Sequence, residues 1–350
     1  MTTAQEAIAL LQQLIEIPSF SGAEGETANV IAQWFNKGGI ATQRLDNNVW
    51  ATNKYFDPSK PTLLLNSHHD TVQPNKAYTR DPFKAEIIDG KLYGLGSNDA
   101  GGSLVSLMSL FKHYYDHPNP NYNLIMAATA EEETAGAKSL RGLLPHLPPI
   151  DLAIVGEPTL LDLAVAEKGL VVLDATITGT PSHAAHPNTD QALLKVPKII
   201  QTIETISFPK MSETLGEVKV TLTQIEAGRQ HNVIPATVKM VIDVRVNDCY
   251  TNAEVEAILK KELDCAVEAR SLHLKSSSIP IDHPLVQAGV ALGKKTYGSP
   301  TLSDQAALEC FSLKLGPGDS TRSHTADEFI FTQEIEAGIE LYIALLKQIL

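Results

Sequence analysis

Cysteine is scarce in this 350-residue chain: its three copies, Cys249, Cys265 and Cys310, are widely spaced and form no C-x-x-C pair. That argues against a disulfide framework or a thiolate zinc site, and leaves the three as small, buried apolar residues. Long apolar runs are missing as well. Stretches such as Leu63–Leu65 and Asn123–Ala128 fall far short of the ~20 residues a bilayer span needs, so no membrane partner is expected. Basic residues are outnumbered, 28 Lys and Arg against 41 Asp and Glu, for a net charge of −13. Such a field repels nucleic acid and anionic membrane surfaces. No internal repeat or low-complexity tract is present. The N-terminal stretch MTTAQEAIALLQQLIEI lacks a positive n-region and carries Glu6 and Glu16 on a helical apolar period. It reads as an amphipathic helix of a cytoplasmic protein.

The rest of the composition, 43% hydrophobic and 20% charged, is that of an ordinary globular protein. At about 150 residues per domain, the length asks for two domains, or one large domain carrying an insertion. Short apolar runs at Thr62–Leu65, Asn123–Ala128, Leu152–Val155 and Phe311–Leu315 predict buried strands. Helix-like stretches, among them Gly102–Tyr115 and Gln333–Leu350, alternate with them. This alternation predicts an α/β layer around a mostly parallel sheet. Between Gly169 and about Ile281 the texture changes: strands are predicted at Leu170–Thr178, Glu217–Glu226 and Thr237–Val246, with helices at Asp190–Ile206 and Thr251–Leu263. The simplest division is a first domain of residues 1–168 and 281–350, interrupted by an inserted α+β unit at 169–280.

Four of the apolar strands run into metal-capable side chains. LLLNSHHD supplies His68 and Asp70, MAATAEEE supplies Glu131 to Glu133, AIVGEP supplies Glu157, and LKLGPGDSTRSH leads to His324. In open α/β sheets the ligand crevice lies beyond the carboxyl ends of the strands, so residues far apart in sequence can converge there. Asp99 joins from the glycine-bordered GLGSNDAGG, where a helix should begin. Singly, each residue has an ordinary explanation, such as a hydrogen-bonded histidine, a helix-start glutamate or a capping aspartate. The signal is their joint placement. The glycine loops contain no phosphate-binding G-x-x-x-x-G-K-S/T, and no G-x-S-x-G marks a serine nucleophile.

His68-x-Asp70, Asp99 ahead of Gly101-Gly102, Glu132-Glu133, Gly156-Glu157-Pro158 and His324 stand in the order of the motifs of the M20 family of zinc-dependent peptidases and deacylases. The chain resembles that family from His68 to His324, and most of all its acetylornithine deacetylase and succinyl-diaminopimelate desuccinylase branch. The resemblance implies a di-zinc catalytic domain with an inserted α+β sandwich that serves as lid and dimerisation domain. It further implies that His68, Asp99, Glu133, Glu157 and His324 bind two Zn²⁺, for which Co²⁺ can substitute, with Asp99 bridging. Five ligands with one shared supply three bonds per ion and leave a fourth tetrahedral position open for a shared water or hydroxide. Asp70, two residues past His68, is expected to accept the other imidazole N–H if the strand continues. Glu132 resembles the general base.

Within the inserted unit, His183 of GTPSHAAHP resembles the histidine that reaches the neighbouring subunit's site and stabilises the oxyanion, with His186 a competing candidate. Arg245 of DVRV, Asn232 of HNVIP and Gly318 of the GPG loop resemble substrate-binding positions. His69 and Glu131 leave two one-residue ambiguities, over which histidine is the ligand and which glutamate is the base. The implied activity is removal of an acyl group from the amine of a small amino acid by a homodimer. N-acetylornithine deacetylation in arginine biosynthesis is the expected case. N-acetylcitrulline, N-succinylornithine, succinyl-diaminopimelate and a dipeptide are alternatives, and a non-catalytic relative is the rival of another class. An acyl group ending in carboxylate would need an additional cationic partner.

Overall fold

The computed structural model describes residues 2–118 and 121–350. The chain forms two compact units, the first made of Met1–Val165, Ser278–Tyr297 and Ser303–Leu350, the second of Ala166–Ser277 and Gly298–Leu302. The sequence-based division left all of 281–350 in the first domain. Gly298–Leu302 instead joins the second unit, because the Lys168 amide donates to the Ser299 carbonyl (3.1 Å) and Gly298 lies against the Thr214 carbonyl, where a Cβ would stand 2.3 Å away.

At the centre of the first unit, the strand Thr62–His68 pairs in parallel with Asn123–Thr129 on one side and Leu152–Val155 on the other. The latter pairs in parallel with Phe311–Lys314. Both seven-residue strands are buried along their whole length, as strands covered on two faces must be. Alternate side chains enter opposite layers. Leu63, Leu65, Leu124 and Met126 share a core with the helices Thr3–Ile15, Gly102–Tyr114 and Thr332–Leu346. Leu64, Ile125 and Ala153 pack with Leu140 and Leu143 on the other face. Each fully buried leucine contributes about 1.5–3 kcal/mol.

The sheet is parallel only in its middle: Asn48–Thr52 lies antiparallel to Asn123–Thr129, and Leu163–Glu167 meets Phe311–Lys314 antiparallel. The parallel core places four carboxyl strand ends along one edge. A separate three-stranded sheet of Glu86–Ile88, Lys91–Tyr93 and Phe329–Phe331 has no counterpart in the sequence reading, since three-residue strands carry too short a pattern to detect.

In the second unit, four antiparallel strands run in the order Lys219–Ala227, Thr237–Val246, Gly169–Thr178, Ala266–Ala269. Val238, Met240, Ile242 and Val244 turn to one face and pack with Ile199 and Ile203 of the helix Ala192–Thr205 and with Val255 and Leu259 of the helix Asn252–Glu262. Thr251 starts the latter with a capping box to Glu254, satisfying amides the helix cannot. The three cysteines are half-buried rather than fully buried, because they lie at the margins of the cores and not within them. Among the described residues no helix is long and apolar enough to cross a membrane.

Candidate active site

Each of the four carboxyl strand ends delivers one or more polar side chains. His68 is the last residue of its strand and is 1% exposed. Its Nε2 lies 3.4 Å from Asp99 Oδ1, 3.8 Å from Glu157 Oε1 and 4.0 Å from Glu132 Oε2. His324 Nε2 lies 3.0 Å from Glu133 Oε2 and 3.5 Å from Asp99 Oδ2. The two oxygens of Asp99 therefore face different histidines. Two half-sets result, His68 with Glu157 and His324 with Glu133, sharing Asp99 between them. Among the described residues, His68, Asp99 and Glu133 offer ligand atoms that all lie within 4.8 Å of one another.

The neighbouring His69 belongs elsewhere: its Nδ1 lies 2.9 Å from Thr27 Oγ1 and its Nε2 3.0 Å from the Asn47 carbonyl. Of the three glutamates, Glu131 builds the turn. It adopts a left-handed φ of 54°, its amide donates to Glu24 Oε1 (3.1 Å), and its carboxylate accepts from the Lys138 amide (2.9 Å). Glu132 and Glu133 remain to face the histidines.

Asp70 lies beside His68 and serves the neighbouring backbone as well. The strand stops at His68, and the acceptor nearest His68 Nδ1 is the Asp70 backbone carbonyl at 3.0 Å, with the carboxylate at 3.4 Å. The buried carboxylate also accepts from Ser21 Oγ (2.6 Å) and from the backbone amides of Glu132 (3.1 Å) and Glu133 (3.2 Å). It thus orients the backbone that carries both glutamates.

Three groups, two of them buried, were not legible in the sequence. Glu328 accepts from the amides of Gly96, Asn98 and Asp99. Asp304 accepts from Thr129 Oγ1 at 2.7 Å. Ser21 belongs to a loop without a recognisable motif.

Electrostatics in this crevice are dominated by burial. It raises Glu132 well above the usual carboxylate range, against the pull of His68 and with added repulsion from Glu157, Asp304 and Glu133. Burial likewise pushes Glu157 up to about 8, Asp304 to about 6 and Glu328 to about 8. Burial works against charge on His68, but its bonds to Asp70 and Asp99 outweigh it and the pKa rises well above 6.5. The Glu133 hydrogen bond pushes His324 up to about 9. Without a metal the crevice thus tends to hold protons. A pair of divalent cations fits this donor set: three carboxylates and two imidazoles in two groups, with the carboxylates otherwise costly to ionise together.

The family model described as peptidase family M20/M25/M40 matches residues 64–348. The chain belongs to that family. The M20 assignment makes it a metal-dependent hydrolase of the peptidase and deacylase class. It is 28% identical to an acetylornithine deacetylase of Proteus mirabilis, over 95% of this chain and 94% of that one. It is 27% identical to succinyl-diaminopimelate desuccinylase 2 of a Ruegeria species, over 72% of this chain and 68% of that one. Among solved structures, an M20 metallo-carboxypeptidase of Sulfolobus solfataricus superposes with a TM-score of 0.78 at 17% identity, covering 98% of both chains. A Bacillus subtilis protein described as a dinuclear metal binding peptidase from the M20 family gives 0.72 at 17%, covering 98% of this chain and 97% of that one.

The remaining candidates of this M20 chain are His183, Asn232 and Arg245 in the second unit and Gly318 in the first. His183 and Asn232 are exposed neighbours in the second unit: Ser182–His183 pairs with Val233–Ile234, and the Ala184 amide donates to the Asn232 carbonyl (3.0 Å). The Ala185 amide donates to His183 Nδ1 (3.1 Å), which leaves the imidazole proton on Nε2. His186 stacks edge-on against His183 at 5.7 Å. Arg245 is not free to fork onto a ligand with its Nε–Nη2 edge, because Asp243 on the same strand face already receives both groups (2.9 and 3.1 Å).

Gly318 belongs to the first unit. It has a φ of 94°, and a Cβ there would stand 2.5 Å from Asn98 Oδ1. Its carbonyl accepts from the Leu160 amide (2.7 Å). These contacts explain the glycine by packing.

Proposed function

We propose that this chain removes an acetyl group from the amine of a small amino acid, with N-acetylornithine as substrate. The observation that carries the hydrolytic reading is the buried Glu132, held beside two half-sets of ligands that share Asp99. His68, Asp99 and Glu157 would hold one metal ion, and His324, Asp99 and Glu133 the other. Zinc is the expected metal and cobalt the expected substitute. The dinuclear description of the Bacillus subtilis relative supports the count. Bound there, the pair would acidify a water and polarise the scissile carbonyl. Glu132, its pKa raised well above the usual carboxylate range by burial, accepts the proton of the attacking water and returns it to the leaving amine nitrogen. Asp70 keeps Glu132 oriented through its backbone amide.

The acetyl preference is supported by the long match to the Proteus acetylornithine deacetylase and by the state of Arg322. This cation, two residues before His324, is bound to Glu334 by two hydrogen bonds (2.7 and 3.0 Å) and stacks over Phe329 and Phe331. It is thereby withheld from the second carboxylate of a succinyl group. The test is a release assay on N-acetyl and N-succinyl forms of ornithine, citrulline and diaminopimelate, after chelation and reloading with zinc or cobalt. Acetate release from N-acetylornithine should exceed succinate release from any partner. Faster turnover of a succinyl compound would move the chain to the desuccinylase reading suggested by the Ruegeria relative.

The second unit, residues 169–280 in the sequence division, acts as a lid and joins two copies of the chain. In support, its terminal strand Lys219–Ala227 is largely exposed, and Ile225, Val233, Leu194 and Met211 present apolar surface to solvent, an arrangement that favours pairing with another edge. His183, with its Nε2–H free to donate, stabilises the oxyanion in the partner's site. Asn232 adds neutral hydrogen bonds, and Arg245 reaches the substrate α-carboxylate through its Nη1 edge. His183→Ala should keep its metal and lose turnover. Mixed with a Glu132→Ala chain, it should regain part of that turnover through dimers holding one intact site. Verified mixed dimers without recovery would show that each site is built from one chain.

A further inference from the structure

We propose that Glu328 is the positioning residue that sets the bridging carboxylate of Asp99 in register with His324. The inference rests on the reading of Asp99 as a shared metal ligand. Glu328 is 2% exposed and sits just before the strand Phe329–Phe331, which pairs with Lys91–Tyr93. That pairing continues one step further, where the Gly94 amide donates to the Glu328 carbonyl (3.0 Å). From there the side chain enters the turn that leads to Asp99. Oε2 accepts from the Gly96 amide (3.0 Å), and Oε1 accepts from the amides of Asn98 (2.8 Å) and Asp99 (2.9 Å).

The three amides converge because Gly96 adopts a φ of 75°, in a spot where a Cβ would stand 2.6 Å from Thr71 Cγ2. Converging backbone amides of this kind form an anion-binding concavity, and here the anion is a residue 229 positions away from Asp99 in the chain.

The other end of the Glu328 segment is anchored separately. His324 and Asp327 both adopt left-handed φ values, 58° and 54°. The Asn75 side chain donates to the His324 carbonyl (3.3 Å), and the Asp327 carboxylate accepts from the amides of Thr79 and Arg80 (2.9 Å each). The His324 turn is therefore held by the 75–80 loop, and Glu328 ties that turn to the Asp99 backbone. The 3.5 Å between His324 Nε2 and Asp99 Oδ2 depends on this tie.

Both oxygens of Glu328 accept from backbone N–H groups, so the glutamine isostere is a poor replacement. Whichever way a glutamine amide turned, its NH₂ would face at least one backbone N–H donor. An aspartate keeps two acceptors but falls one methylene short.

The experiment compares wild type with Glu328→Gln, Glu328→Asp and Asp99→Asn. Each protein is stripped of metal, checked for fold by circular dichroism and titrated with Co²⁺. Bound cobalt, the affinity of each equivalent, the visible cobalt spectrum, kcat and KM are recorded. Glu328→Gln should bind the second equivalent about 10–100-fold more weakly, with an altered cobalt band, and should lower kcat by a similar factor while KM changes less. Glu328→Asp should fall between it and wild type. A Glu328→Gln protein with wild-type cobalt affinity and spectrum would overturn the proposal.

If Glu328→Gln does not fold, Glu328→Asp decides: a weakened second equivalent and a shifted band support the tie, and wild-type values refute it. Asp99→Asn separates the two levels of inference. If it too binds and colours like wild type, the shared-ligand reading fails and the proposal with it. If it loses the second cobalt while Glu328→Gln does not, only the positioning role fails.

Discussion

Glu132→Ala is expected to retain about two metal ions per chain while turnover falls by about 10²–10⁴-fold, the range typical of a lost general acid–base. The retention follows from geometry. Glu132 approaches His68 no closer than 4.0 Å, and the three carboxylates assigned to metal are Asp99, Glu133 and Glu157. Its position depends on Asp70, which takes the Glu132 and Glu133 amides together, so truncating the Glu132 side chain leaves that backbone tied. The loss follows from electrostatics. Burial raises this carboxylate well above the usual glutamate range, which makes it a stronger base than an exposed glutamate. Metal analysis by plasma emission, paired with steady-state kinetics, checks both halves. Unchanged turnover would remove Glu132 from the chemistry, and loss of metal would make it a ligand.

Chelation is expected to abolish activity and to lower the melting temperature by an amount that grows as pH rises from about 5 to 9. In the metal-free fold, Glu157 sits at about 8 against an ordinary 4.5, chiefly through burial. Between those values the folded chain holds a proton that the unfolded chain has released, so this group makes the fold less stable as pH increases. His324, pushed up to about 9 from 6.5 chiefly by Glu133, adds stability that is complete below 6.5 and is lost as pH climbs through 9. Both act in the same direction. Metal binding has the opposite dependence, because the ligands must be deprotonated to coordinate. Calorimetric scans with and without chelator across this window should show the two melting temperatures diverging. A gap that stayed constant, or closed towards alkaline pH, would mean that these side chains do not meet at a shared cation site.

How much of this was legible beforehand differs from residue to residue. His68, Glu133, Glu157 and His324 follow apolar strands, and a parallel sheet must gather such ends on one edge, so their convergence follows from pattern and topology together. Asp99 stood out through its glycines. The ambiguity between His68 and His69 closes only when both nitrogens of His69 prove to be engaged by Thr27 and Asn47. Glu131 is set apart by its left-handed turn. Glu328 and Asp304 left no trace, because a buried acceptor is defined by its donors, and those donors lie 175 to 232 positions away; Ser21, which donates to Asp70 from 49 positions away, sits in a loop without a motif. Arg245 was legible as a cation on a strand; that Asp243, two residues earlier on the same face, would occupy one edge of it was a matter of rotamer and not of residue type.

By itself, then, the amino-acid order determined the layers of the protein and its parallel core, and it singled out the candidate ligands. These depend on local period and on the order of elements, both written along the chain. Tertiary structure alone decided which oxygen faces which imidazole, which carboxylates orient backbone and which face the crevice, and which are driven towards neutrality. Such properties arise from separations of 3 to 4 Å between side chains from distant segments. At that range burial and hydrogen bonding set charge and orientation, and they have no one-dimensional signature.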